Sequence, residues 1–321
     1  MSNFSQLSID ISKEISKETK KKEGIFFTPP VIIQQMIDYV HQYCLDQNIV
    51  INTVLEPSCG TCEFITYIKN KIDEHDSEHN GEHDGDHNVN ESNPFQIKRI
   101  IGVELNQKIY KKIKHFSLKK YSKKIKIEMK NKDFLKYGLK RKSNLILGNP
   151  PYFVIKQQDI PKQCQQYLKY MSGRPNIFTL FILKCLCEHL EPNGILAFVL
   201  PNSFMNSYYY NKVRKYIYDN FTILNIINYQ NENSFIDTYQ TTSAFIIQNK
   251  VDIDKVNNDK YTIIFNNGNG NGNGNVNGNV NGNGNVNGNG NGNENGDYIF
   301  FDAETKNKVD KLLEESNGNT L

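Results

Sequence analysis

The residues best placed to do chemistry form one motif, Asn149-Pro150-Pro151-Tyr152, which directly follows Gly148 and an apolar run. Two successive prolines fix the backbone and remove two N–H donors. The side-chain oxygen of Asn149 and the carbonyl oxygen of Pro150 then remain as converging acceptors, which suit an amino group held for attack. The ring of Tyr152 offers a face for a flat group. The motif predicts a site that binds and orients an –NH2 group.

A second candidate site is the loop at residues 56–62, which reads Glu-Pro-Ser-Cys-Gly-Thr-Cys after a short apolar run. A strand, a turn at Gly60 and a following helix let backbone N–H groups approach a ligand closely. The spacing of Cys59 and Cys62 also fits a redox or metal site. A zinc site needs a second pair of ligands, which the sequence does not place at suitable spacing. We therefore favour a ligand-binding loop.

Two acidic residues follow the next two apolar runs. Glu104 lies 44 residues after Gly60, with a polar segment between them. An acid at this place in a nucleotide-binding sheet accepts the hydroxyls of a ribose. Asp133 follows the third run, where it is placed to accept a hydrogen bond from an adenine amino group. The pair predicts an adenosine-containing cofactor that is bound without a phosphate loop.

These motifs need a framework that brings them together, and the chain alternates between strand-like and helix-like segments. The predicted strands are 52–55, 97–103, 125–129, 145–147, 195–200, 223–228 and 243–248, and the predicted helices are 30–43, 64–71, 108–116, 178–190 and 209–218. Alternation predicts an α/β fold with a Rossmann-like, doubly wound, mostly parallel sheet. We expect the last strand to be an antiparallel hairpin strand. Ligands of such sheets bind at the carboxyl ends of the strands.

Two low-complexity segments interrupt this pattern. Residues 73–93 hold eight acidic residues and no Lys or Arg, and residues 266–296 are an Asn-Gly repeat. Neither has the apolar side chains that would offset the entropy of ordering, so both are predicted to be flexible inserts. Segments 261–265 and 297–301 flank the repeat and are predicted to pair as a hairpin. A last helix is predicted at 303–315.

The histidines of the first insert recur at every fourth position. On a helix this spacing would align four metal ligands, His75, His79, His83 and His87. Gly81 and Gly85 oppose a helix there, and the mixed acidic residues are typical of compositional bias. We therefore predict a disordered spacer and no metal site.

The formal net charge of +3 combines unlike parts of the 321-residue chain, which has 38 Lys and Arg against 35 Asp and Glu. Without residues 73–93, 38 basic residues face 27 acidic ones, a formal charge of +11. Residues 98–142 alone hold 17 basic and three acidic residues. Two explanations stay open, namely the exposed faces of a Lys-rich protein or a footprint for a polyanion such as nucleic acid.

Composition excludes several classes of protein. No run of about 18 apolar residues occurs, so no membrane span is predicted. Residues 1–23 are polar and lack the apolar centre of a secretory signal. Six cysteines are few for this length and favour a reducing compartment. We expect an intracellular protein, and the sequence does not resolve the cytoplasm from the nucleus.

The order of the motifs resembles the adenine-N6 DNA methyltransferases of the gamma arrangement, which belong to the class I enzymes that use S-adenosylmethionine. The segments that carry the resemblance are, in order, Phe-Phe-Thr-Pro-Pro at 26–30, the loop 56–61, Glu104, Asp133-Phe134, the tetrapeptide at 149–152, and the stretches 176–178, 199–204, 233–235 and 242–245. The resemblance covers about residues 24–250. Several methyltransferase families share the tetrapeptide, whereas the combined order is much more specific.

The resemblance implies a role for each residue of two sets. The cofactor S-adenosyl-L-methionine would be bound by Thr28 and Pro29 at its methionine end, Glu56, Ser58 and Gly60 around it, Glu104 at its ribose, and Asp133 and Phe134 at its adenine. The target base would be held by Asn149 and the Pro150 carbonyl at its amino group, with Pro151 fixing the loop and Tyr152 and Phe235 stacking on the ring. The base would leave the duplex to reach this pocket.

The resemblance implies methyl transfer to the N6 amino group of adenine in DNA. The amino nitrogen is a poor nucleophile, and two acceptors would aim its lone pair for in-line attack. Two other functions stay open. One is methylation of another amino group, in a glutamine side chain of a protein or a base in RNA. The other is a non-catalytic relative that binds nucleic acid.

The sequence departs from the family pattern at two loop positions. Cys62 stands where glycine is usual, and Glu63 stands where a neutral or small residue is commoner. Cys62 would either crowd the cofactor or fill space beside it.

The domain plan predicts a polar, basic N-terminal tail at 1–23 and a methyltransferase domain at 24–250 that contains the insert 73–93. A small appendage follows at 251–321, with the Asn-Gly loop 266–296. Methyltransferases of this type commonly carry a substantial recognition domain. We expect target recognition to be reduced, supplied by a separate recognition or restriction subunit, or absent, and the oligomeric state is not predicted.

Overall fold

The computed structural model describes residues 4–79, 93–114, 125–139, 141–229, 241–250, 258–266 and 296–318. A central sheet contains β1 (Thr53–Glu56), β2 (Arg99–Glu104), β3 (Lys126–Asn131), β4 (Ser143–Gly148), β5 (Leu190–Pro201), β6 (Thr222–Asn228) and β7 (Thr242–Gln248). A separate two-stranded sheet contains β8 (Thr262–Asn266) and β9 (Gly296–Phe300).

The helices of the described residues lie before, between and after these strands. They are α1 (Gln6–Glu14), α2 (Lys17–Glu23), α3 (Pro30–Asp46), α4 (Glu63–His79), α5 (Gln107–Ile113), α6 (Ile177–Lys184), α7 (Ser203–Asn206), α8 (Asn211–Asn220) and α9 (Ala303–Gly318). Short 3-10 helices span Gln157–Asp159, Lys162–Tyr170 and Tyr208–Tyr210, and a π-helical turn, Cys185–His189, continues α6. None of the helices described is long and apolar enough to cross a membrane.

The central sheet has the strand order β3-β2-β1-β4-β5-β7-β6. β1 pairs in parallel with β2 and β4, and the outer pairs β2–β3 and β4–β5 are also parallel. β7 runs antiparallel to both β5 and β6. The predicted doubly wound sheet with an antiparallel hairpin strand is confirmed. Because the chain winds in opposite directions from β1 and β4, the loops after these two strands meet at the switch point.

Strand β5 shows how one sequence run serves two cores. Leu196, Phe198 and Leu200 pack into an apolar cluster on one face of the sheet. Ile195, Ala197 and Val199 alternate with them and pack into the cluster on the other face. All six side chains are fully buried, as expected for a strand that is covered by helices on both faces.

The segment predicted as an N-terminal tail contains two helices. The hydroxyl of Ser5 caps the start of α1, and that of Ser16 caps the start of α2. Ile11 and Ile15, four residues apart, are buried against Phe27 and α5. The helices therefore pack against the rest of the fold instead of extending from it.

Two predicted inserts begin later than the composition indicates. α4 continues to His79, so residues 73–79 are helical, and residues 80–92 lie outside the described part of the chain. The predicted hairpin around the Asn-Gly repeat is present, with Asn266 of β8 opposite Gly296 of β9. Residues 267–295 lie outside the described part.

Candidate active site

A cavity of about 390 Å3 lies at the carboxyl ends of β1 to β4. Seven of the residues predicted to bind or react line it: Ser58, Gly60, Glu104, Asp133, Phe134, Asn149 and Pro151. The segment that links α2 to α3, including Phe26 and Phe27, forms another wall. Four loops that are distant in sequence thus meet at one edge of the sheet.

A side pocket of about 40 Å3 shares several walls with this cavity. Thr28 and Glu56, which were both predicted to bind the cofactor, line the side pocket together with Asn149. Pro29 and Pro150 are buried and are not among the residues that line either cavity. Asn149 therefore lies at the junction of the two spaces.

The side chain of Asn149 is oriented by the segment before α3. Its Nδ2 donates to the carbonyl oxygen of Phe26 at 3.3 Å and to the hydroxyl of Thr28 at 3.0 Å. A backbone carbonyl only accepts, so the –NH2 end of the amide must face Phe26. The opposite atom, Oδ1, is buried and has no hydrogen-bond partner among the described residues. Asn149 thus presents a desolvated acceptor to the site, which an incoming N–H group would satisfy.

The backbone of the catalytic loop is fastened to the loop after β1. The hydroxyl of Ser58 donates to the carbonyl oxygen of Asn149 at 3.1 Å. Gly148, the last residue of β4, has a φ of 146°, which side-chain-bearing residues rarely adopt. A Cβ atom there would lie 3.5 Å from Cγ of Glu56, an ordinary contact, so the backbone conformation is what requires glycine.

Tyr152 is fixed as firmly as Asn149, although it lines neither cavity. Its hydroxyl donates to the carbonyl oxygen of Val199 in β5 at 2.6 Å, and burial raises its pKa well above the usual value. Its ring packs edge-on against Phe178 and lies roughly parallel to that of Phe26, with centroids 6.5 Å apart. Phe235, the second predicted stacking residue, lies outside the described residues.

Glu104 is held by backbone donors at the end of β2. One carboxylate oxygen accepts from the N–H of Gly60 at 2.9 Å, and the other accepts from the N–H of Asn106 at 2.6 Å. Burial raises the pKa of Glu104 to about 7, against the opposing effect of these donors. The N–H of Leu105 also donates to this carboxyl group, which keeps acceptor capacity for a ribose hydroxyl.

Asp133 and Phe134 lie where the chain leaves β3. Asp133 accepts from the N–H of Leu135 at 3.0 Å and forms an ion pair with Lys136 at 3.3 Å. Phe134 is buried and stacks on Phe181 with a centroid distance of 5.2 Å. This end of the cavity combines an acceptor with a flat apolar wall, which is the environment predicted for an adenine ring.

The two cysteines of the loop after β1 do not form a reactive pair. Both are buried and free, and burial is the main cause that raises the pKa of Cys59 well above its usual value. With its raised pKa, the thiol of Cys59 stays protonated and unreactive. Cys62 has a φ of 65°, which explains why glycine is usual there, and its side chain packs in the core beside Ile65 instead of lining either cavity. Cys62 therefore fills space in the core.

Metal ligands do not converge in the part of the chain that the structure covers. No group of three or more His, Cys, Asp or Glu side chains there is arranged to hold a metal ion. Of the regularly spaced histidines, His83 and His87 lie outside the described residues, and the side chains of His75 and His79 are not described.

Two groups that shape the site, Gly24 and the backbone carbonyl of Phe26, were not predicted from the sequence. Gly24 ends α2 with a φ of 66°, and a Cβ atom there would lie 2.7 Å from Cβ of Pro151 and 2.9 Å from N of Tyr152. The carbonyl of Phe26 orients Asn149 across 123 residues of sequence. Glycine after a Lys-rich segment is typical of the end of a helix, and this pattern could have identified Gly24. No sequence pattern marks the backbone carbonyl of Phe26.

Of the described basic residues in 98–142, five lie on α5 and β3, and Lys132 and Lys136 line the larger cavity. β3 is an edge strand, separated from β4 by β2 and β1. There, Glu128 forms ion pairs with Arg99, Lys126 and Lys130, each at 3.1 Å. Part of the positive charge is thus paired away from the catalytic loop, and a role in binding nucleic acid stays a prediction.

The sheet order and the position of the cavity define the fold of class I S-adenosylmethionine-dependent methyltransferases. The fold is similar to that of a proposed enzyme of this class from Listeria monocytogenes, with a TM-score of 0.53, 16% identity, and coverage of 77% of this chain and 67% of that one. It is also similar to a modification subunit of a proposed type I restriction enzyme from Vibrio vulnificus, with a TM-score of 0.52, 16% identity, and coverage of 77% and 51%.

Within this class, the chain belongs to the Eco57I restriction-modification methylase family, which it matches over residues 42–235. It is 30% identical to modification methylase CviBIII of Paramecium bursaria Chlorella virus NC1A over 77% of this chain and 55% of the relative. It is 27% identical to type II methyltransferase M.CvrRI of Paramecium bursaria Chlorella virus XZ-6E, over 78% and 55%. The chain thus spans about half the length of these relatives.

Proposed function

We propose that this chain transfers a methyl group from S-adenosyl-L-methionine to the N6 amino group of adenine in DNA. The observation that carries the proposal is the buried, unpartnered Oδ1 of Asn149, held by two bonds from its Nδ2. An orphaned acceptor in a protein interior is costly unless a ligand completes it. Membership of a restriction-modification methylase family supports DNA as the substrate.

The residues around the cavity fit this cofactor. Phe134 and Asp133 offer a flat wall and an acceptor to the adenine ring, and Glu104 offers acceptors to the ribose hydroxyls. Glu56, which has an unpartnered buried oxygen, lies at the side pocket, where a positively charged group would offset its charge. Ser58 and Gly60 bring the loop after β1 against the space between these ends.

The chemistry follows from the positions of two acceptors. When bound, the cofactor supplies an electrophilic methyl group on a sulfonium centre. Asn149 Oδ1 and the Pro150 carbonyl would accept one N–H bond each from the target amino group. This arrangement favours a tetrahedral nitrogen and directs its lone pair toward the cavity, since the lone pair is otherwise delocalised into the ring. Catalysis is then mostly positioning and electrostatic stabilisation.

The target base must reach Asn149, so it has to leave the duplex. Tyr152, held by its bond to Val199, would stack on the extruded ring, with Phe235 as its second contact. The ring of Phe26 lies beside Tyr152 and narrows the approach. A separate recognition or restriction subunit stays a prediction of the sequence.

Methyl transfer can be measured with tritiated S-adenosylmethionine and DNA, RNA or protein as acceptor. Label is expected in DNA, and Asn149→Ala is expected to lower its incorporation by about 10²–10³-fold. Asn249→Ala is the matched control, because Asn249 follows β7 at the opposite edge of the sheet and contacts Glu191. Label in protein or RNA alone would overturn the proposal, and so would full activity of Asn149→Ala.

A further inference from the structure

The side pocket next to Asn149 is lined by two buried carboxylates. Glu56 ends β1 and is 1% exposed, and Glu63 begins α4 and is 9% exposed. None of the residues that line the pocket is basic. Two like charges in a poorly solvated space repel each other, so the pocket favours a cationic occupant.

The environment of Glu56 is a second, independent indication that the pocket suits a cationic group. Its Oε2 atom is buried and makes no hydrogen bond. Burial and the nearby carboxylates of Glu63 and Glu104 raise its pKa well above the usual value. The backbone N–H of Ile65 donates to this carboxyl group and opposes the shift. A buried oxygen without a donor, as Oε2 is among the described residues, is destabilising, and a ligand with cationic N–H donors would remove that cost.

Glu63 is held in place from outside its own loop. The hydroxyl of Ser8 in α1 donates to Oε1 of Glu63 at 2.6 Å and lies 2.7 Å from the hydroxyl of Thr61. The hydroxyl of Ser5 donates to the same carboxylate oxygen. α1 is itself seated by Ile11, which is buried in a cluster with Phe27. The N-terminal helix thus fixes the position of the Glu63 carboxylate.

The size of the pocket limits what can occupy it. A space of about 40 Å3 accommodates a small cationic group but not the sulfonium centre with its three substituents. The pocket adjoins the larger cavity through shared walls at Ser58, Gly60 and Asn149. A primary ammonium group on a flexible arm would therefore reach it from a ligand that is bound in the cavity.

We propose that Glu63, positioned by Ser8 of α1, binds the α-ammonium group of the cofactor's methionine part together with Glu56. The proposal rests on the proposed function, because it assumes that S-adenosylmethionine occupies the larger cavity. It adds a ligand residue at a loop position where the family pattern has a neutral or small residue, and it gives the N-terminal helix a role in cofactor affinity.

The test compares two ligands by calorimetry. S-adenosylhomocysteine carries the α-ammonium group, and 5′-methylthioadenosine shares its nucleoside but lacks the amino-acid end. Glu63→Gln keeps an acceptor for Ser8 and removes the charge. We expect Glu63→Gln to lower the affinity for S-adenosylhomocysteine about tenfold, while the affinity for 5′-methylthioadenosine changes less than about twofold. Glu14→Gln, an exposed change on the same helix, should alter neither affinity.

A second variant keeps the test decisive if Glu63→Gln fails to fold. Ser8→Ala leaves both carboxylates in place and removes one donor that orients Glu63. We expect Ser8→Ala to lower the affinity for S-adenosylhomocysteine about threefold and to leave the affinity for 5′-methylthioadenosine unchanged. Equal weakening of both ligands would show that α1 supports the loop only as a whole, and would overturn the proposal.

The outcomes separate the two proposals. Failure of the unaltered protein to bind either ligand would contradict the proposed function. A different result would overturn the role of Glu63 alone. In that case the unaltered protein binds both ligands, and Glu63→Gln binds S-adenosylhomocysteine as tightly as the unaltered protein or more tightly. The proposed function would then still stand.

Discussion

Two halves of the central sheet build the site in different ways. In the cofactor half, formed by β3, β2, β1 and β4, all strands run parallel, and the loop after each one lines the cavity. In the target half, formed by β5, β7 and β6, the middle strand runs against its neighbours. The edge beside the catalytic loop is therefore formed by the ends of β5 and β6 and the start of β7.

This difference shows in the contacts at that edge. In the target half, Asn202 follows β5 and links the other two strands through its side chain. It donates to Oδ1 of Asn228, the last residue of β6, at 3.1 Å, and accepts from the hydroxyl of Ser243, near the start of β7, at 2.7 Å. In the cofactor half, Gly60 and Asn106 bond directly to Glu104. A parallel sheet thus collects consecutive loops at one edge, whereas an antiparallel strand needs cross-links between distant segments. Changes in the cofactor half should alter cofactor binding, and changes in the target half should leave it intact.

The largest effect is expected where the target half is fastened to the C-terminal hairpin. Arg214 of α8 is buried and donates to the backbone carbonyls of Tyr298, Phe204 and Ser207. Arg214→Ala leaves these acceptors unpaired, so the free energy of unfolding should fall by about 3–5 kcal/mol. Urea denaturation measures it, with exposed Lys212→Ala as the control. A loss below about 1 kcal/mol would contradict a structural role for this side chain.

The next largest effect concerns Gly24, which follows α2 and packs against the loop after β4. A side chain there would displace Pro151 and Tyr152, so Gly24→Val should lower the single-turnover rate of methyl transfer by about 100-fold. Circular dichroism checks that the fold is retained. Gly138→Val is the matched control, because no atom lies within 4 Å of a Cβ at that position. Equal rates of methyl transfer for the two variants would show that the close packing of Gly24 against Pro151 and Tyr152 is not needed for the reaction.

A smaller and pH-dependent effect is expected at Glu104. Its pKa in the free protein is about 7, and the ionised form is the better acceptor for ribose hydroxyls. Affinity for S-adenosylhomocysteine should therefore fall as the pH drops below 7 and level off above it. Glu104→Gln should bind about tenfold more weakly at pH 8 and lose this pH dependence. A pH profile that is identical in both proteins would show that another group titrates.

The smallest effect is expected for Tyr152→Phe, at the contact between the loop after β4 and β5 of the target half. The change removes the bond to Val199 and keeps the aromatic face. Stability should fall by about 1 kcal/mol and methyl transfer by a few-fold, with binding of S-adenosylhomocysteine unchanged. Weaker binding of that ligand would break the division between the two halves.

The sequence predicted the cofactor half in most of its detail, because each polar motif directly follows a strand. Ser58, Glu104, Asp133 and Asn149 were all found by this rule, and the structure brings them to one cavity. Their roles toward a ligand stay predictions. The rule works because parallel strands place the residues after them at the same edge.

Other contributors could not be read from motifs. Leu7, Ile11 and Ile15 recur at every fourth position, which is a helical signal, but the polar and Lys-rich composition of residues 1–23 concealed it. The bond from Asn149 to the Phe26 carbonyl depends on tertiary packing, so no local pattern marks it. In the target half, Phe235 lies outside the described residues, and its role stays a prediction.

The central claim is that Asn149 and Pro150 hold the N6 amino group of an adenine in DNA. Mass spectrometry of nucleosides from DNA that was incubated with the protein and S-adenosylmethionine tests this claim most directly. We expect N6-methyl-2′-deoxyadenosine, which should be lost with Asn149→Ala and retained with Asn249→Ala. A methylated cytosine in its place, or unmodified DNA alongside methylated RNA or protein, would contradict it.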